Sequence, residues 1–244
     1  MDDNKPSIPR RTLLMQAAGV VGASVILPAE AFGASAAISA GPSPNSESAT
    51  PPPYLSLSPD EATFVEALVN VMCPADAHTP NGVDCGLATY IDRQLAGPFG
   101  KGGGRYQRGP FRSGMPQLGL QLPLTPEQFF KAGIAAASLA SLHAHDHAFD
   151  QLPPNTANEF LIELASGKVQ DGQVALALWF NDLVYPLFVE ACFADPMYGG
   201  NRHAVFWEMM GYPGLPATHT LDMVRYRGKR YPGASAPKSI ADFS

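Results

Sequence analysis

Ser58-Pro59-Asp60-Glu61-Ala62-Thr63-Phe64-Val65-Glu66-Ala67-Leu68-Val69-Asn70-Val71-Met72 decides the fold class. A serine ahead of a proline, with glutamate three places on, is a capping box: the Ser58 hydroxyl and the Glu61 carboxylate each satisfy an amide that a helix start leaves open, and Pro59 fits the first helical position. Phe64, Val65, Leu68, Val69 and Met72 then recur with a period near 3.6, so this helix buries one face and stops before Pro74. The same signature returns at Thr125-Pro126-Glu127-Gln128, which opens a helix burying Phe130, Ile134, Ala137 and Leu142 and fading near His147.

Three further helices follow from the same arguments. Leu87, Ile91 and Leu95 repeat every four residues until Gly97. Pro153-Pro154 starts a segment with Phe160, Leu161 and Leu164 inward, closed by Gly167. The last runs from about Gln173 to Phe193 with Trp179, Phe180, Leu183, Val184 and Phe188 on a broad apolar face, and Pro186 inside it predicts a kink. No stretch alternates with period two. The reading is a single all-α domain with long loops, over residues 54–244.

Two segments precede that domain. Pro9-Arg10-Arg11-Thr12-Leu13-Leu14, then a run free of charge up to Glu30, has the layout of a twin-arginine export signal, with Arg10 and Arg11 as its address. Ala29-Glu30-Ala31 and Ala34-Ser35-Ala36 both suit cleavage; the second gives a signal peptide of residues 1–36. An uncleaved anchor is the alternative, but the apolar run is short and holds Gln16, Gly19 and Gly22. Residues 37–53 are a Pro/Ser-rich linker with one charge, Glu47. A chain so led is expected in the periplasm.

The chain carries a net charge of −6. Removal of residues 1–36 takes away three basic and three acidic residues and leaves that charge unchanged, which argues against nucleic acid as a partner. Cys73 and Cys85 are near enough in sequence to close a loop, which would contribute roughly 3 kcal/mol in an oxidising compartment. Cys192 is left over; a metal held by two cysteines and a histidine is the rival reading. Residues 97–123 carry Lys101, Arg105, Arg108 and Arg112 without an acidic residue, a loop long enough to suggest binding, for instance to an envelope polymer.

No nucleophile elbow, dinucleotide fingerprint or haem-attachment motif occurs, so no catalytic residue is assigned. His143, His145 and His147 surround Asp146, and on a helix His143 and His147 would share a face able to hold a divalent metal. A solvated helix end explains the same residues, and the expectation is no bound metal. More distinctive is Asp195-Pro196-Met197-Tyr198-Gly199-Gly200-Asn201-Arg202, followed by Trp207 and Gly211-Tyr212-Pro213-Gly214. It reads either as a rigid turn presenting Tyr198, Arg202 and Trp207 to a partner or as a buried turn whose Asp and Asn satisfy backbone amides.

That run resembles the gluconate 2-dehydrogenase subunit 3 family, the small or gamma subunits of membrane-bound flavin-dependent sugar dehydrogenases. Segments around Pro74 to Pro80, Asp84-Cys85-Gly86, Tyr90-Ile91-Asp92, Leu95-Ala96-Gly97-Pro98 and Leu124 to Gln128 are similar too, so that the likeness spans roughly residues 56–216. The resemblance implies a non-catalytic subunit with no cofactor of its own. Its partners would be an FAD-dependent dehydrogenase large subunit, a multihaem cytochrome c carrying haem c, and the twin-arginine translocase. Asp195, Tyr198, Gly199, Gly200, Asn201, Arg202 and Trp207 would form the partner interface. A stand-alone exported metal-binding protein or enzyme using the three histidines is the alternative.

Overall fold

A computed structural model describes residues 54–105, 108–111, 122–215 and 219–243. The export signal with Arg10 and Arg11, the linker and Arg112 lie outside the described residues. All the described residues belong to the unit Pro51–Ser244.

Both capping boxes form as anticipated. In α1 (Pro59–Met72) the Ser58 hydroxyl accepts from the Glu61 amide while the Glu61 carboxylate accepts from the Ser58 amide at 2.8 Å. In α3 (Pro126–His145) Thr125 and Gln128 do the same. Between them lies α2 (Leu87–Ala96), and after them α4 (Pro154–Ala165). Leu142 departs from expectation: it is largely exposed, because the last turn of α3 runs past the core. Ser141 is buried there, its hydroxyl donating to the His147 carbonyl at 3.0 Å.

The fifth helix, α5 (Leu176–Phe193), is the centre of the core. Its buried residues are Leu176, Trp179, Phe180, Leu183, Val184, Leu187, Phe188, Ala191 and Cys192, a pattern repeating every four residues. At 3.6 residues per turn such a stripe drifts about 40° per repeat and would leave the core before its end. A π turn at Phe180–Val184 takes up the excess: the Tyr185 amide donates to the Phe180 carbonyl five residues back. The same turn prepares the helix for Pro186, which has no amide to give. The expected disturbance is thus a widened turn ahead of the proline. This helix is long and apolar enough to cross a membrane, yet half of it is buried against α2, α3 and α4, as befits a core element.

Trp179 is fully buried and reaches α3, its indole N–H donating to the Phe130 carbonyl at 3.1 Å. Gly133 makes room: a Cβ there would lie 2.1 Å from Trp179 Nε1. Phe64, Phe149 and Phe160 pack around the same ring system, with centroids 4.9–6.4 Å apart. Two short helices, α6 (Val205–Met210) and α7 (Thr220–Arg225), follow the core. Among the described residues there is no strand; a lone parallel bridge joins Gly214 to Lys238.

The entry to the domain is fixed by a buried carboxylate. Asp92 on α2 accepts from the amides of Leu55, Ser56 and Leu57 at 2.7–3.0 Å. Beside it, Ser56 donates to Glu127 at 2.6 Å, and Lys131 donates to the Ser56 carbonyl at 2.6 Å. Lys101 also pairs with Glu127, and these contacts hold its carboxyl below the ordinary range, the Lys101 hydrogen bond first and the Ser56 hydroxyl next.

Candidate functional site

Where α5 ends, Ala194 turns extended and Asp195 caps a single 3-10 turn, Pro196–Tyr198. The Asp195 carboxylate accepts from the Met197 amide at 3.0 Å. It also accepts from the Ser239 hydroxyl at 2.6 Å and the Ile240 amide at 2.9 Å, so it fastens the C-terminal segment to the helix exit. Gly199 follows at φ 100°, then Asn201, His203 and Ala204 at φ 45–57°. Such left-handed residues persist only where their surroundings hold them.

Asn201 supplies much of that hold. Wholly buried, it donates through Nδ2 to the Ala194 carbonyl at 3.1 Å and accepts through Oδ1 from the Phe206 amide at 3.0 Å, joining the end of α5 to the start of α6. Arg202 is half-buried: its amide donates to the Cys85 carbonyl at 3.0 Å and its guanidinium to Thr89 Oγ1 at 3.1 Å. Trp207 is buried, its indole N–H donating to the Phe193 carbonyl at 2.8 Å, with Tyr212 edge-on at 5.1 Å. Gly86, at φ 79°, faces Gly199 so closely that a Cβ on it would sit 2.1 Å from the Gly199 carbonyl oxygen. Two sequence segments more than a hundred residues apart are thereby one packed unit.

Of the three groups expected to face a partner, Tyr198 alone is exposed, at 46%; Arg202 and Trp207 serve the fold as well. Sequence reasoning missed the outward residues around them. Met197 on the turn, and Met209, Met210 and Tyr212 at the end of α6 and just after it, are each 42–52% exposed. Their signal was present in the Met209-Met210 pair closing a short helix. Met197, by contrast, is outward on a turn whose Asp195 carboxylate is spent on the Met197 and Ile240 amides and the Ser239 hydroxyl.

Other anticipated sites come apart. The helix carrying the histidines ends at His145, with Asp146 at φ 58° as its C-cap, so His147 leaves the face of His143. His145 lies edge-on to Phe160 at 5.9 Å, and His147 Nδ1 is 2.9 Å from the His145 carbonyl. Among the described residues no group of three or more His, Cys, Asp or Glu side chains converges on a metal position. Cys73, Cys85 and Cys192 are buried, and the anticipated Cys73–Cys85 disulfide is not formed. Both sulfurs instead approach the Pro80 carbonyl, at 3.9 and 3.5 Å. The neighbouring Cys73 thiol and burial push the Cys85 thiol upward; burial does the same to Cys192. In the basic loop Lys101 is engaged with Glu127, and the Arg105 guanidinium lies 5.6 Å from the centre of the Phe99 ring. A shallow hollow of ≈ 500 Å³ beside 167–177 has Asp171 as its sole titratable lining residue, too little for acid–base chemistry.

No curated protein and no solved structure matches the chain. A family profile described as gluconate 2-dehydrogenase subunit 3 matches residues 59–214, from the first residue of α1 to the glycine that bridges to Lys238. That match covers most of the described helical domain and the whole of the Asp195 turn, and on it the chain belongs to the gluconate 2-dehydrogenase subunit 3 family.

Proposed function

We propose that the chain is the non-catalytic small subunit of a periplasmic FAD-dependent sugar or sugar-acid dehydrogenase, gripping the flavoprotein and escorting it through twin-arginine export. The observation that carries this is the exposure of Met197 and Tyr198 on a turn made rigid from within, and of Met209, Met210 and Tyr212 at the end of the helix that follows it. Large apolar side chains left exposed beside a rigid base are what a docking site offers, and methionine adapts to the surface it meets. The flavin belongs to the partner and haem c to a cytochrome that passes electrons on; this chain contributes grip and, through Arg10 and Arg11, the address.

Such an address fits a partner that folds around its cofactor before export, because the twin-arginine route carries folded proteins. The test is co-expression with the proposed flavoprotein partner in a host whose twin-arginine translocase is deleted. Periplasmic dehydrogenase activity is expected to disappear there. Activity undiminished in that host would refute the escort role. In an intact host, Tyr198→Ala with Met210→Ser is expected to lower co-purification of the flavoprotein at least ten-fold, on the order of one lost hot spot.

A further inference from the structure

Beyond the family-matched residues the chain continues into α7 and a following turn, a stretch that combines exposed apolar side chains with a cluster of basic ones. Helix α7 has no buried residue: Leu221 is 79%, Val224 77% and Met223 66% exposed. Leu221 and Val224 stand three places apart and so share a helix face. Directly after them come Arg225, Arg227, Lys229 and Arg230, all exposed, on a chain whose net charge is −6. None of these four has a carboxylate within ion-pair distance among the described residues.

The acidic residue of the helix is turned away from that surface. Asp222 accepts from the Tyr231 hydroxyl at 3.3 Å and lies 3.5 Å from His219 Nδ1, while Tyr231 packs edge-on to His219 and to Tyr226 at 5.6 and 5.3 Å. This closes residues 219–231 into a small built element. Its root is the Gly214 to Lys238 bridge and the Asp195 contacts to Ser239 and Ile240. Large apolar side chains, tyrosines and unpaired cations on one exposed element match the boundary of an anionic bilayer, where apolar groups enter the headgroup region and Lys and Arg meet phosphates. Protein interfaces do enrich arginine, but their cores are depleted of net charge, and here four cations fall within the six residues 225–230.

We infer that residues 219–231 dock this chain directly on an anionic phospholipid surface, with Leu221, Met223 and Val224 inserted and Arg225, Arg227, Lys229 and Arg230 against lipid phosphates. This contact does not depend on the flavoprotein reading, because it uses none of the residues that reading rests on.

Vesicles of phosphatidylglycerol, with phosphatidylcholine vesicles as the uncharged control, test it on the full chain. Val224→Cys gives a single accessible thiol, since the native cysteines are buried, and carries an environment-sensitive fluorophore that reports on this element rather than on the leader. The expected result is a blue shift with phosphatidylglycerol only, suppressed by salt, and affinity falling roughly five-fold for each of Arg225→Glu and Arg227→Glu. Leu221→Ser with Met223→Ser should remove the shift while leaving the thermal midpoint unchanged, because neither side chain is buried. An unshifted probe would overturn the inference. So would charge variants that bind vesicles as the native chain does but lose the flavoprotein, which would make this a protein interface.

Discussion

Glu190 shows what a single side chain can cost the fold. It lies on α5 with the Tyr90 hydroxyl 3.5 Å away, a long hydrogen bond, and burial raises its carboxyl above the ordinary 4.5. Tyr90 is in turn pushed up to about 12, by burial first and the Glu190 charge next. A carboxyl raised in the fold holds its proton where the unfolded chain has already released it, so its contribution to stability declines as pH climbs through 4.5 and beyond. Glu190→Gln keeps an acceptor for Tyr90 without the charge. Its denaturation midpoint should match the native chain near about pH 4 and exceed it increasingly toward about pH 7; equal midpoints at both pH values would show that burial is not penalising the charge. At this scale the sequence was least informative. Spacing placed Asp195 and Asn201 in a turn, but nothing local shows that Asp195 reaches Ser239 and Ile240, or that Arg202 is spent on Thr89. Those pairings span many residues and are set by packing.

Among the elements, the helices were legible wherever a local signal was complete. Capping boxes at Ser58 and Thr125, the Gly97 stop and the proline start near residue 154 each place a boundary within a residue or so of the observed one. The histidine segment was misplaced because propensity alone does not reveal that Asp146 takes a left-handed conformation and ends α3. The π turn had a signal that went unread: a buried pattern repeating every four residues asks for more than 3.6 residues per turn. Helices α6 and α7 were missed because six residues are too few to show a period. The contact of α3 with α5 yields a clear prediction. Gly133→Ala improves helix propensity but drives a methyl into the rigid Trp179 indole, and the net loss should be about 1–3 kcal/mol, read as a lower thermal midpoint. In a Trp179→Phe background Gly133→Ala should cost little further, and the same loss there would show that the indole is not what the methyl meets.

For the molecule as a whole, the described unit is a helical core with a rigid turn at one exit and a tethered entry. The entry is held by Asp92, whose loss would leave three amides without their charged acceptor. Asp92→Ala should destabilise the domain by about 2–4 kcal/mol and open residues 54–57 to limited proteolysis, whereas Ser56→Ala, which spares those amides, should do neither. The grip at this entry has a consequence for how such chains diverge. Asp92 takes hold of the peptide backbone, so the identities of residues 55 and 56 matter little to the bond. Segments of unrelated composition can therefore be exchanged ahead of the same socket, and what precedes residue 55 can diverge without loosening the helical body behind it.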